Sequence, residues 1–122
     1  MIERQLVFYN TRDELLRIDV AKIVYFEGDG NYTHIVMVNK LKGSVCMNLL
    51  NMERELSDQL GPRSGGFMRI GKRFIINMQY IYQINLTRQM LILSDYDHFT
   101  FQLSISKEAL KKVKELLLIA KV

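Results

Sequence analysis

Arg69, Lys72 and Arg73 place three cations within five residues, and Phe67, Ile70, Phe74, Ile75 and Ile76 surround them. Such a segment can bury its apolar flanks while a short exposed turn presents the charges. Gly71 at its centre permits a tight turn or a close backbone approach. Arginine and lysine match phosphate oxygens, and either can also donate to guanine O6 and N7 in the major groove. On composition alone, a set of solvated loop cations is an equal alternative.

Other reactive residue types are sparse. His34 and His98 fall in separate hairpin regions, with no Cys or His at metal-ligand spacing. Cys46 follows Val45 in an apolar, strand-like stretch and reads as a buried, inert thiol rather than a nucleophile. Gly28-Asp29-Gly30-Asn31 is too short to cradle a phosphate and lacks the Gly-Lys-Ser/Thr ending of a P-loop. Asp29, Asp95 and Asp97 sit near turns, where carboxylates serve turn geometry. A hydrolase would need a base and a nucleophile that are not found here. The chain therefore reads as a non-enzyme, with no cofactor, metal or small-molecule substrate expected.

The 122 residues correspond to a single domain, and 48% apolar with 25% charged residues is an ordinary globular composition. One cysteine excludes a disulfide framework. No apolar run approaches the roughly 18–20 residues of a membrane span. The polar start, Met1-Ile2-Glu3-Arg4-Gln5, is unlike a secretory signal, so a cytoplasmic, reducing setting is expected. The formal charge of +4 is unevenly spread: residues 1–30 carry 4 basic and 6 acidic side chains, whereas residues 61–122 carry 10 and 4. A basic C-terminal half raises the expectation of a polyanionic partner, nucleic acid first.

Most of the chain has strand patterning. Leu6–Tyr9, Leu15–Ile18, Ile23–Phe26 and Tyr32–Val38 are β-branched, aromatic or aliphatic runs. A turn over 10–13 separates the first two, and Gly28-Asp29-Gly30-Asn31 closes a hairpin between the last two. Further strands are expected at Phe74–Asn77, Tyr80–Leu86, Met90–Leu93 and Phe99–Leu103. Two helices are expected. Leu49, Met52, Leu56 and Leu60 follow a capping Asn48 and end at Gly61-Pro62, which opens a loop to Gly66. Leu110, Val113, Leu117 and Ala120 follow a capping Ser106, with Glu108 and Lys112 spaced i,i+4 on the polar side. The fold class is α+β and mostly β.

Three blocks give the sequence a family likeness. Ile23-Val24-Tyr25-Phe26-Glu27-Gly28-Asp29-Gly30-Asn31-Tyr32-Thr33-His34-Ile35 is an aromatic-acidic strand, a Gly-Asn-Tyr turn and a second strand. Phe67 to Asn77, followed by Tyr80-Ile81, has the pattern Phe-x-Arg, basic, aromatic, two aliphatics and Asn. Leu103-Ser104-Ile105-Ser106-Lys107 leads into Leu110 and Lys111-Lys112-Val113. In this order and spacing, over about residues 2–118, the chain resembles the LytTR-type DNA-binding domain of bacterial transcription regulators.

The resemblance implies an elongated arrangement of small antiparallel sheets with two short helices. It implies double-stranded DNA as partner, contacted by loops in successive major grooves, with direct-repeat sites and a possible homodimer on DNA. Carried over by position, His34 and Lys72 match base-contacting residues, and Thr33 matches a backbone-contacting one. Arg69 and Arg73 are phosphate candidates, and Lys107 falls in a third contact region. Departures are Gly71 where the family commonly has His, Arg73 where it has a small Ser, and Glu108 where it often has a basic residue. Family members usually carry a receiver domain or a membrane segment ahead of this part. The first strand here begins by Leu6, so neither is expected within this chain. A second reading is an interaction or co-regulator module, dimerising through the apolar tail Leu116-Leu117-Leu118-Ile119-Ala120.

Overall fold

The computed structural model describes residues 4–11 and 13–120. Among these the order is β1 (Gln5–Thr11), β2 (Glu14–Asp19), β3 (Ile23–Asp29), β4 (Tyr32–Met37), β5 (Lys42–Val45), α1 (Leu49–Leu60), β6 (Phe67–Ile70), β7 (Phe74–Asn77), β8 (Ile81–Asn85), β9 (Met90–Ser94), β10 (Thr100–Ser104) and α2 (Lys107–Ala120). All strand pairings are antiparallel. They form a β1–β2 hairpin, a β10-β9-β8 sheet and a central sheet ordered β5-β4-β3-β7-β6. This is the α+β, mostly β class expected from the sequence.

The central sheet is covered on both faces. On one, Tyr25, Val36, Ile70, Phe74 and Ile76 join a core with Leu91, Leu93, Leu103, Leu110 and Val113 from β9, β10 and α2. On the other, Phe26, Ile35, Val45 and Ile75 join Leu6, Phe8 and Ile18 of the β1–β2 hairpin and Leu49, Met52, Leu56 and Leu60 of α1. Double coverage explains why Ile23–Phe26 and Phe74–Asn77 are buried without alternation. A register shift between Ile23 and Tyr25 turns Val24 and Tyr25 into the same core.

Both helices begin at their expected caps. The Asn48 side chain accepts from Asn51 N–H at 2.9 Å, and Ser106 Oγ accepts from Ala109 N–H at 3.3 Å. The four apolar residues of the α1 stripe are all buried. In α2, Leu110 and Val113 are buried and Leu117 is half-buried, while the Ala120 side chain lies outside the described residues. β5 and β6, which lack a clear strand pattern, are the two edges of the central sheet. Gly61–Gly66 forms a 3-10 turn rather than an irregular loop, with Pro62 supplying a fixed φ at its start. The turn expected over 10–13 includes Arg12, which lies outside the described residues, as do Met1–Glu3.

Cys46 is a correction. It is exposed, because Val45 points into the core and the next residue along an extended chain points out.

The loop after β9 is organised around the Asp95 carboxylate, with Ser94 Oγ also accepting from Tyr96 N–H and donating to Phe99 C=O. Asp95 Oδ1 accepts the N–H groups of Asp97, His98 and Phe99 at 3.0, 2.7 and 3.1 Å, and Oδ2 lies 2.8 Å from His98 Nδ1. Partial burial works to raise this carboxyl, but the bonds from His98, Asp97 and Phe99 outweigh it and hold it well below the usual carboxylate range. The folded-state pKa is thus depressed. Its stabilisation is full above the ordinary value and is lost as pH falls below about 4. Acid titration of unfolding free energy should show this loss in the parent and a shallower one in Asp95→Asn. Phe26→Ala, between the sheet and α1, should cost roughly 3–5 kcal/mol in urea denaturation. Leu15→Ala on the exposed hairpin should stay within about 0.5 kcal/mol.

Candidate nucleic-acid interface

β3 pairs with β4 on one side and β7 on the other, which places two turns at the same end of the sheet. The first joins β3 to β4 through Gly30 and Asn31. The second joins β6 to β7 through Gly71, Lys72 and Arg73. Gly28 N–H donates to Arg73 C=O at 2.7 Å, extending the ladder into the second turn. Two glycines make this end possible. Gly71 has φ +67°, a left-handed conformation that side chains disfavour. Gly28 lies so close to α1 that an added Cβ would sit 3.1 Å from Leu49 Cβ.

The register lines up Ser44, His34, Glu27, Phe74 and Ile70 as one row across β5, β4, β3, β7 and β6. Cross-strand partners share a face, so the His34 ring lies between Ser44 and Glu27. Its Nδ1 is 2.8 Å from Ser44 Oγ and its Nε2 is 3.0 Å from Asp29 Oδ2. A carboxylate only accepts, so Nε2 carries a hydrogen. The ring is 20% exposed and Asp29 is 74% exposed. Arg73 is 66% exposed, pairs with the Glu27 carboxylate, and has its guanidinium carbon 5.5 Å from the centroid of the Phe74 ring.

The remaining sequence candidates divide. Lys72 is exposed at the turn and makes no ion pair among the described residues. Lys107 is exposed in the first turn of α2. Gly71 lies beside that helix, where an added Cβ would be 3.8 Å from Ala109 Cβ. Arg69 is half-buried and braced: it reaches Glu53 of α1 at 3.5 Å and donates to the Lys72 carbonyl at 3.4 Å. It supports the turn that carries Lys72. Thr33 is turned inward. It is 0% exposed, and its hydroxyl donates to Met47 C=O at 2.9 Å. His34 faces one side of the sheet, so its neighbour Thr33 must face the other, toward α1.

Two further cations join the set. Lys42 lines a polar groove of about 500 Å³ with Glu27, Asp29, His34 and Arg73. Its signal is the Lys42–Ser44 spacing, which puts both on one strand face, but only once β5 is known to be a strand. Lys112 lines a cleft of about 830 Å³ between the Lys72 turn and α2, with Glu108 on the same cleft. The i,i+4 spacing of Glu108 and Lys112 forms no ion pair among the described residues.

The sequence model of the family described as LytTr DNA-binding domain matches residues 13–118. The chain belongs to the LytTR DNA-binding domain family. This is a family of DNA-binding domains rather than of enzymes. The LytTR fold is found again in a solved structure described as the LytTr DNA-binding domain of a methyl-accepting/DNA response regulator from Bacillus cereus. The two share 20% identity and a TM-score of 0.62, over 95% of this chain and 98% of that one. No curated protein matches the chain in sequence. Among the described residues no helix is long and apolar enough to cross a membrane.

The place of Thr33 in this LytTR domain can be tested. Thr33→Val should cost about 1 kcal/mol of stability by removing the bond to Met47. Its affinity for DNA, measured by anisotropy well below the unfolding temperature, should match the parent. Lost affinity with unchanged stability would place Thr33 on the duplex instead.

Proposed function

We propose that this LytTR domain recognises a specific double-stranded DNA sequence through its loops and acts as a bacterial transcription regulator. One observation carries the proposal. The β3–β4 turn and the β6–β7 turn share one end of the sheet, and the second of them lies beside the start of α2. His34, Lys72 and Arg73 lie on this end, with Lys107 in the first turn of α2. His34 and Lys72 enter the major groove and donate to base edges. Arg73 and Lys107, with Lys42 and Lys112, contact phosphates. Arg69 acts by holding the Lys72 turn. Direct-repeat sites spaced by about one helical turn suit docking of successive domains on one face of the duplex.

A second reading has its own support. Leu116, Leu118 and Ile119 are exposed on α2, a surface on which two copies can associate. Light scattering of a truncation ending at Glu115 tests it. Loss of a dimer with retained folding supports an interface, and a monomeric parent removes it.

Fluorescence anisotropy tests the DNA reading, using a duplex enriched from a random pool and a scrambled duplex at two salt concentrations. Affinity for both should fall steeply with salt. Lys72→Ala should lose about 1–3 kcal/mol of discrimination between them. Arg73→Ala should weaken both alike and flatten the salt slope by about 0.9. Equal, negligible binding of the parent to every duplex overturns the proposal.

A further inference from the structure

The groove beside the two turns holds two carboxylates among its basic side chains, and each acid has a partner, while Lys42 makes no ion pair among the described residues. Glu27 pairs with Arg73, and Asp29 pairs with His34. A carboxylate offers a guanidinium the same two-oxygen face that a phosphate does. Glu27 therefore occupies the place on Arg73 that a backbone phosphate would take. The pair is asymmetric: Glu27 is 22% exposed and Arg73 is 66% exposed. The acid is the fixed partner, seated in the sheet row between His34 and Phe74, and the guanidinium is the accessible one. Asp29 and Ser44 together engage both ring nitrogens of His34.

We infer that Glu27 and Asp29 determine specificity by keeping Arg73 and His34 from binding phosphate indiscriminately. This rests on the DNA-binding reading above. In an arbitrary register the groove meets phosphates, which repel both acids and must displace them from their cations. In the register of the target site, base edges face the same groove. There an adenine N6 or cytosine N4 amine can donate to a carboxylate, while His34 donates to an acceptor. The acids are then satisfied on the target and unpaired elsewhere, so discrimination comes from a repulsive element as well as from attractive ones.

The test compares Glu27→Gln and Asp29→Asn with the parent by anisotropy, using the enriched and scrambled duplexes at two salt concentrations. Each variant should bind the scrambled duplex about 3- to 10-fold more tightly, because the cost of displacing an acid is gone. Affinity for the enriched duplex should rise less, so the ratio between duplexes falls. Asp29 lies at an exposed turn, so Asp29→Asn keeps the test open if Glu27→Gln disturbs folding, which a thermal melt detects. A parent that discriminates normally, with both folded variants keeping its ratio, overturns this inference and leaves the DNA reading intact. A parent that binds neither duplex overturns both.

Discussion

The pairing of β3 with β7 is the contact on which the rest of the molecule depends. Its strands are far apart in sequence, and α1 is inserted between them. Joining them brings the β3–β4 turn and the β6–β7 turn to one end of a single sheet. The bond from Gly28 N–H to the Arg73 carbonyl marks how far the pairing runs. Without it His34 and Arg73 would belong to separate hairpins. The close approach of Leu49 to Gly28 then ties the start of α1 to the same end. The grouping of these side chains is thus a product of sheet register.

Electrostatics at that end are more balanced than the overall charge implies. Lys72, Lys42, Lys107 and Lys112 make no ion pair among the described residues, while Arg69, Arg73 and His34 each face a carboxylate. Ion pairs at a surface are individually weak, about 0–1 kcal/mol, so such partners are readily exchanged. Arg69 is different in kind, because its bonds join α1 to the carbonyl at the β6–β7 turn. The two acids in the first strand block explain why the N-terminal part of an otherwise basic domain is negative.

The legible parts of the sequence were those where local pattern and tertiary burial agree. The α1 stripe of Leu49, Met52, Leu56 and Leu60 is buried as its spacing predicts, and Asn48 and Ser106 cap as expected. β3 and β7 were legible as continuous apolar runs because both of their faces are covered. β5 was not: Lys42-Gly43-Ser44-Val45 has a glycine and one buried residue, so its alternation is too weak to set its bounds. Losing β5 also hid Lys42. Thr33 and Cys46 show a different limit. Alternation sets neighbours on opposite faces, but not which face is interior, and at Thr33 the polar residue lies inside while at Cys46 the thiol lies outside. The ion pairs of Arg73 and Arg69 join residues distant in sequence and have no local signature.

The double coverage of the central sheet also governs how the molecule comes apart. Neighbouring residues of β3 and β7 serve different cores: Tyr25 and Ile76 one, Phe26 and Ile75 the other. Neither core can melt while these strands stay paired and keep the other intact without loss, so the two behave as one cooperative unit. The turns at the interface end close hairpins whose strands belong to that unit. Separating those strands therefore exposes both cores at once, which couples it to global unfolding.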